Sequence, residues 1–220
     1  MEIVISDEIR DKLPDLHLGV MEIEVDTMPA AQELKDMLEG RAKELEQELT
    51  PEIIRGMDTV KANKDAYRKL GKDPNRYRPA SESLLRRVAN GKGLYFINNV
   101  VDILNLISID TGYSICGYDA DKITGDSIVL GVGEKDEPYE GIGRGTLNIE
   151  NLPVFRDDAG AFGTPTSDSV RTMVTEDTSR FLMIIIAFGN EEKLKKTMER
   201  SVELYRKYAG GKNEKQRIVK

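Results

Sequence analysis

The segment RFLMIIIAF at residues 180–188 constrains the fold most, because its apolar residues do not alternate with polar ones. A strand with this composition is buried on both faces, so other elements of the chain must cover it on each side. The longest apolar stretches are also far shorter than the roughly 20 residues that span a bilayer. We therefore predict a central strand of a sheet in a soluble protein.

The order of the other elements indicates the α+β class. EIVIS and VMEIEV near the start alternate as short strands, and helical patterns cover residues 28–50 and about 58–70. From about residue 112 a block of five or so short strands follows, and a last helix begins after Asn190. Because strands and helices do not alternate regularly, we predict a compact mixed or barrel-like sheet flanked by N-terminal and C-terminal helices.

The same patterns suggest three parts of the chain. Residues 1–70 are predicted to be a strand and helix segment that packs on a main domain of residues 71–209, and residues 210–220 a flexible tail. At the start of the main domain, SESLLRRVAN predicts a helix with Ser81 as its N-cap. The glycines of NGKG are expected to end that helix.

Residue counts exclude several kinds of chemistry. The chain has one histidine, His17, and one cysteine, Cys116, so its own Cys and His residues cannot form a zinc site or an internal disulfide. The glycine-rich stretch GVGEKDEPYEGIGRG lacks a phosphate-binding fingerprint, and we interpret it as two turns around a hairpin. We expect no metal or other cofactor. No secretory signal is visible at the start, so we expect a cytoplasmic location.

Positive charge is concentrated in one part of an acidic chain. The formal net charge is -7, yet residues 67–93 hold eight basic residues and two acidic ones, with Tyr67 and Tyr77 among them. Such a strip suits backbone phosphates and a stacked base. A solvated helix face with ion pairs to the acidic remainder is the alternative. The arginines that would contact nucleic acid are Arg76, Arg78, Arg86 and Arg87.

The apolar helix predicted at about residues 98–110 carries a narrow polar stripe. Asp102, Asn105 and Ser108 recur at every third position, whereas most of the remaining circumference is apolar. Buried polar groups require hydrogen-bond partners. The stripe therefore lines a site, or Asp102 caps the start of the helix and Asn105 bonds to neighbouring backbone.

Several motifs resemble the B3/B4 domain of the bacterial phenylalanyl-tRNA synthetase beta subunit, and especially the free-standing proteins that consist of this domain alone. The resemblance covers roughly residues 76–190. Its motifs are the spacing NNVVD…N…G…YD.DK, then LNIENLPVFRDDAG, GAFGTPTSDSV and VTEDT. Nothing resembles the catalytic core of the synthetase, so aminoacylation is not expected.

The resemblance also implies a site, because this domain of the synthetases hydrolyses tyrosine wrongly attached to the tRNA. The family's pocket threonine and asparagine fall on Leu104 and Asn105, and its histidine falls on Cys116. The glutamate that recognises the tyrosine hydroxyl falls on Glu150. The strip that closes the pocket falls on residues 160–167, with Gly163, Thr164 and Thr166 as expected substrate contacts.

Two functions remain open from the sequence. The first is a free-standing relative of the editing domain that binds the aminoacylated end of a tRNA and hydrolyses a mischarged amino acid in trans. The second is a non-catalytic module that binds a free amino acid or a similar small polar ligand, since one fold can support different functions. Cys116 is a weak candidate for a nucleophile, because no histidine is available to generate its thiolate.

Overall fold

The computed structural model describes residues 1–220 and contains seven helices and ten strands. The helices are α1 (Asp7–Lys12), α2 (Gln32–Glu48), α3 (Pro51–Gly56), α4 (Asp58–Leu70), α5 (Ala80–Ala89), α6 (Asn99–Thr111) and α7 (Glu191–Tyr208). The strands are β1 (Glu2–Ile5), β2 (Leu16–Glu24), β3 (Ser114–Asp119), β4 (Ser127–Val132), β5 (Glu140–Gly141), β6 (Gly145–Thr146), β7 (Pro153–Asp157), β8 (Gly160–Gly163), β9 (Arg180–Phe188) and β10 (Lys212–Val219). None of the helices combines the length and apolar character that crossing a bilayer requires.

The strands form two four-stranded sheets and one small hairpin. One sheet has the order β10-β2-β9-β3, with antiparallel pairing throughout. The other has the order β1-β4-β7-β8 and is mixed, because β1 and β4 are parallel. The hairpin of β5 and β6 lies in the glycine-rich stretch. The fold is α+β as predicted, and its sheets, of which one is mixed, do not close into a barrel.

Strand β9 occupies the central position that its composition predicts. It pairs with β2 on one side and β3 on the other, and its apolar residues alternate between two core clusters. Met183 and Ile185 face the first cluster, which packs against the layer of α2, α5, α6 and α7. Leu182 and Ile184 face the second cluster, between the two sheets. Burying each of these side chains contributes about 2 kcal/mol, so both layers depend on this strand.

The first 24 residues are integral to both sheets. Strand β1 pairs with β4, and β2 pairs with β9 along its whole length. Residues 1–70 therefore supply strands as well as helices, and the division of the chain at residue 70 stays a prediction.

Two local predictions are wrong. Residues 212–219 are not part of a flexible tail, because β10 pairs antiparallel with β2, and Arg217 forms an ion pair with Glu22 across that pair. The N-cap of α5 is Pro79 instead of Ser81. The Ser81 hydroxyl is buried and forms a hydrogen bond with that of Ser114 at 3.0 Å, which joins α5 to the start of β3.

Candidate functional site

The predicted wall position Cys116 lies on β3, an edge strand, and its side chain is fully buried between the two sheets. Successive side chains of a strand point to opposite faces, and the next residue, Gly117, faces α6. A Cβ atom at Gly117 would lie 2.6 Å from Leu104 Cδ1. Leu104 and Cys116, two of the predicted pocket positions, therefore contact opposite faces of β3.

A half-buried acid that sequence reasoning missed, Asp168, lies at the open edge of β3. Its Oδ2 atom accepts a hydrogen bond from the Gly117 N–H at 3.2 Å, whereas Oδ1 is buried without a partner. Burial raises the pKa of Asp168 to about 7, although the Gly117 N–H and the side chains of Tyr118 and Cys116 act in the opposite direction. A carboxyl group with this pKa changes protonation state near neutral pH.

Tyrosine side chains enclose Asp168 and Cys116. Tyr118 is fully buried, and its hydroxyl has no well-aligned hydrogen-bond partner. The Tyr139 hydroxyl donates to the Ser167 carbonyl at 2.6 Å. The Tyr67 and Thr166 hydroxyls are 2.8 Å apart. Burial raises the pKa of all three tyrosines and of the Cys116 thiol, so these groups are neutral near pH 7. We call this group of residues the Asp168 cluster: Tyr67, Cys116, Tyr118, Tyr139 and Asp168.

The loop at residues 163–168 closes over the Asp168 cluster. A Cβ atom at Gly163 would lie 1.8 Å from the Tyr118 hydroxyl, so only glycine leaves room for that tyrosine. The Thr164 hydroxyl accepts hydrogen bonds from the backbone N–H groups of Thr166 and Ser167 at 3.0 and 3.3 Å. The three loop residues predicted from the sequence thus lie together and fix the shape of this wall.

The remaining predicted pocket residues, Asn105 and Glu150, have no hydrogen bond to the Asp168 cluster. Asn105 is half-buried, and its amide makes no hydrogen bond within the chain. Glu150 lies in a turn that Lys72 holds, because the Lys72 ammonium donates to the Asn148 and Glu150 carbonyls at 2.9 and 2.6 Å. The Glu150 carboxylate has no ion pair closer than 4 Å. Both polar groups are therefore free to bind a ligand.

The other members of the polar stripe on α6 have structural partners. The N-cap of α6 is Asn98, whose side chain accepts from the Val101 N–H at 2.9 Å. Asp102 Oδ1 accepts from the Ile97 N–H at 2.9 Å, and the Ser108 hydroxyl donates to the Tyr113 carbonyl at 2.8 Å. Within the stripe, Asn105 alone lacks an internal partner.

The predicted tRNA-binding arginines are partly engaged within the protein. Arg78 and Arg86 lie 3.7 and 2.8 Å from the carboxylate of Glu82, which is fully buried and also lies 3.5 Å from the Lys64 ammonium. For Arg78 and Arg86, these ion pairs agree with the alternative interpretation, in which the basic strip is a solvated helix face with ion pairs to acidic residues.

Aromatic residues accompany the other two arginines. The Arg87 guanidinium lies 3.9 Å from the ring centre of Tyr95, which is 65% exposed, and the Arg76 guanidinium lies 5.7 Å from that of Tyr77. Tyr67 is completely buried, so it is unavailable for stacking on a base. Tyr95, which the sequence did not single out, is the exposed aromatic residue beside this strip.

An open groove of about 610 Å³ lies beside the Asp168 cluster. Tyr139 lines this groove and also belongs to the cluster. Ser169 and Arg171, which follow Asp168 in the sequence, line the groove as well. The Arg171 guanidinium is held by both carboxylate oxygens of Asp157, at 2.8 and 2.9 Å. No group of three or more His, Cys, Asp or Glu side chains is arranged to hold a metal ion.

Comparison with known proteins identifies a protein family and related solved structures. Residues 62–212 match the B3/4 domain family. An N-terminal fragment of the phenylalanyl-tRNA synthetase beta subunit from Pyrococcus horikoshii has 13% sequence identity and a TM-score of 0.46, over the whole of this chain and 54% of that one. The chain thus spans about half the length of that fragment. No curated protein matches the sequence.

Proposed function

We propose, from the premise that the chain belongs to the B3/4 domain family, that it binds the aminoacylated end of a tRNA and hydrolyses a mischarged amino acid in trans. An aminoacyl ester carries a cationic amino group and an electrophilic carbonyl. A site for it requires a hydrogen-bond acceptor for the amino group and a means to position or activate a water molecule.

The observation that carries the proposal is the Asp168 cluster. Two of its polar atoms, Asp168 Oδ1 and Tyr118 Oη, are buried without a well-aligned hydrogen-bond partner, although Tyr118 is close enough to lower the pKa of Asp168. A buried polar group that lacks good hydrogen bonds costs about 1 to 3 kcal/mol relative to a satisfied one, so a ligand that supplies hydrogen bonds would be stabilised here. The cluster lies under the loop at residues 163–168, whose threonines and glycine the sequence assigned to substrate contact.

The free polar groups supply the remaining contacts in this proposal. The Glu150 carboxylate recognises a polar group on the amino-acid side chain, and the Asn105 amide orients the ester. Gly163, Thr164 and Thr166 form the wall against which the aminoacyl group packs. Cys116 is a wall residue here, because its protonated thiol is a poor nucleophile.

In this proposal Arg76 and Arg87 contact tRNA phosphates. Arg78 and Arg86 contact phosphates as well, although the Glu82 carboxylate neutralises part of their positive charge. Arg78 is 40% exposed at its side chain and Arg86 is 23% exposed, so both remain accessible. Phosphate contacts position the ligand and make its affinity depend on salt.

A second function is supported by the ion pairs of Glu82. Because this buried carboxylate neutralises part of the basic strip, the chain has less free positive charge than its sequence suggests. A module that binds a free amino acid or a similar small polar ligand needs the pocket residues but not the arginines. Its affinity would change little with salt.

Deacylation assays test the proposed function. We would measure hydrolysis of tRNA charged with tyrosine, and of other amino acids on their own tRNAs, at low and moderate salt. The native chain should turn over at least one of these substrates. The double variant Asn105→Ala, Glu150→Ala should lose that activity, whereas Glu176→Ala, which removes an exposed carboxylate elsewhere, should retain it.

The assay separates the two functions. Turnover that the double variant lacks supports a hydrolase that acts in trans. If no charged tRNA is turned over and binding of tRNA shows no salt dependence, the hydrolase proposal is wrong. Saturable binding of a free amino acid, unaffected by salt, would then support the small-ligand module.

A further inference from the structure

The Asp168 carboxyl group forms no ion pair with a lysine or arginine, unlike the buried carboxylate of Glu82. From β3 it is faced by Cys116 and Tyr118, and from the segment before β5 by Tyr139, all of which are uncharged near pH 7. The nearby Arg171 is held by Asp157 instead. One backbone N–H, that of Gly117, fixes the position of Oδ2 at 3.2 Å.

This arrangement leaves one oxygen of Asp168 oriented and without a well-aligned hydrogen bond. The hydrogen bond from Gly117 and those within the loop at residues 163–168 hold the carboxyl group in place, and the neighbouring Tyr118 and Cys116 side chains make no well-aligned hydrogen bond to Oδ1. A carboxylate oxygen held in this way accepts a hydrogen bond from any donor that enters. A water molecule is the smallest such donor.

We propose that Asp168 is the general base of this site and activates the water that attacks the aminoacyl ester, an inference that rests on the proposed hydrolase function. Tyr139 of the Asp168 cluster and Ser169, the residue that follows Asp168, both line the groove, so in this proposal substrate and water enter from that side. Asp168 is not among the residues that the sequence assigned to the site.

The proton and bond changes balance with water as the only co-reactant. Asp168 takes one proton from water as the water oxygen bonds to the ester carbonyl carbon, which gives a tetrahedral intermediate. The intermediate collapses as the bond to the ribose oxygen breaks, and the protonated Asp168 returns its proton to that oxygen. The products are the free amino acid and the tRNA with its terminal hydroxyl restored.

The protonation behaviour of Asp168 suits this role. Burial raises its pKa to about 7, so the carboxylate and the acid are both populated near neutral pH. A base whose pKa lies near the operating pH combines the required protonation state with a useful driving force for proton transfer. The protonated thiol of Cys116 and the tyrosines cannot replace it as a base at this pH.

The test is the dependence of deacylation on pH for the native chain and for Asp168→Asn. The asparagine keeps the size of the side chain and an oxygen that can accept the Gly117 N–H. For the native chain, kcat should rise with pH and level off above an apparent pKa near that of Asp168. For Asp168→Asn, kcat should fall by about 100-fold or more and lose this step, with KM little changed.

Asp158→Asn is the matched control, because it removes the same charge from an exposed neighbouring position. It should keep the native rate and pH profile. Thermal unfolding of each variant shows whether a loss of activity reflects a loss of fold.

The outcomes separate this inference from the proposed function. If Asp168→Asn hydrolyses the ester at the native rate with the native pH profile, while the Asn105→Ala, Glu150→Ala variant is inactive, only the role of Asp168 is refuted. If the native chain turns over no charged tRNA, both proposals fail. A folded Asp168→Asn protein that binds charged tRNA but lacks the pH-dependent rate supports the inference.

Discussion

Two acids whose carboxyl oxygens are enclosed by protein, Glu82 and Asp168, have opposite surroundings. Glu82 is completely buried and lies within 4 Å of three cations, those of Lys64, Arg78 and Arg86. Asp168 has one backbone N–H on one oxygen and no partner on the other, and its neighbours are two tyrosines and a cysteine. The first acid is compensated within the structure, and the second is not.

This difference is the basis for assigning a structural role to Glu82 and proposing a functional one for Asp168. A buried charge that lacks a partner destabilises the folded state, and the usual response is a shifted pKa. Paired carboxylates do not carry this penalty in full. An acid of this kind beside a groove is a candidate for binding or proton transfer.

The largest expected effect is on Glu82. Glu82→Gln removes the only carboxylate shared by three cations and leaves the buried Lys64 ammonium without an opposite charge, so we expect a loss of about 3 kcal/mol in the free energy of unfolding. Chemical denaturation would measure it. Glu52→Gln, which removes an exposed partner of Arg55, should have little effect on the free energy of unfolding. Similar losses for both variants would mean that the buried ion pairs of Glu82 contribute no more to stability than an exposed ion pair does.

A smaller effect is expected from the wall of the Asp168 cluster. Gly163→Ala places a methyl group 1.8 Å from the Tyr118 hydroxyl, so Tyr118 or the loop must move. We expect a loss of about 2 kcal/mol in the free energy of unfolding, typical of an overpacked core. Gly40→Ala, on a helix surface with nothing within 4 Å, should instead stabilise the protein by a few tenths to about 1 kcal/mol.

The smallest expected effect is a gain in the free energy of unfolding, on substitution of Asp168. Because the pKa of Asp168 is raised in the folded state, the folded protein binds its proton more tightly than the unfolded chain does, and this contribution to stability is lost as the pH rises through about 7. Asp168→Asn should therefore stabilise the protein by about 1 to 2 kcal/mol at about pH 8.

Thermal unfolding at several pH values would measure this gain. The advantage of Asp168→Asn should shrink as the pH falls from about 8 towards 5, because the native carboxyl group becomes protonated. Asp158→Asn should show no such dependence. A destabilised Asp168→Asn protein at pH 8 would mean that the carboxylate has a favourable partner in solution.

Periodic and apolar patterns predicted most of the fold. The helix of residues 58–70 ends before Gly71 as expected, the apolar run at 180–188 is the central strand, and the α6 and α7 regions are helical. Strand β10 was missed because it is an edge strand with much of its surface exposed, so its sequence KNEKQRIV is polar. Its pairing with β2 joins residues about 190 positions apart, which no local pattern reveals.

The site was less predictable than the fold for a physical reason. Glu82 and Asp168 both stand in polar sequence, SESLL and TSDSV, which is typical of surface segments. Tertiary packing alone buries them and determines which receives cations. The loop residues Gly163, Thr164 and Thr166 could be identified from the resemblance, whereas Asp168, which lies in the same motif GAFGTPTSDSV, was assigned no role by it.

The pairing of β10 with β2 also brings the two ends of the chain together. The Arg217 guanidinium donates to the Met1 carbonyl at 2.6 Å, and both the Met1 amino group and Arg217 lie within 4 Å of the Glu22 carboxylate. Chains whose ends are close tolerate circular permutation. A short peptide joining Lys220 to Met1, with new ends between α2 and α3, would preserve every strand pair and leave the Asp168 cluster uninterrupted.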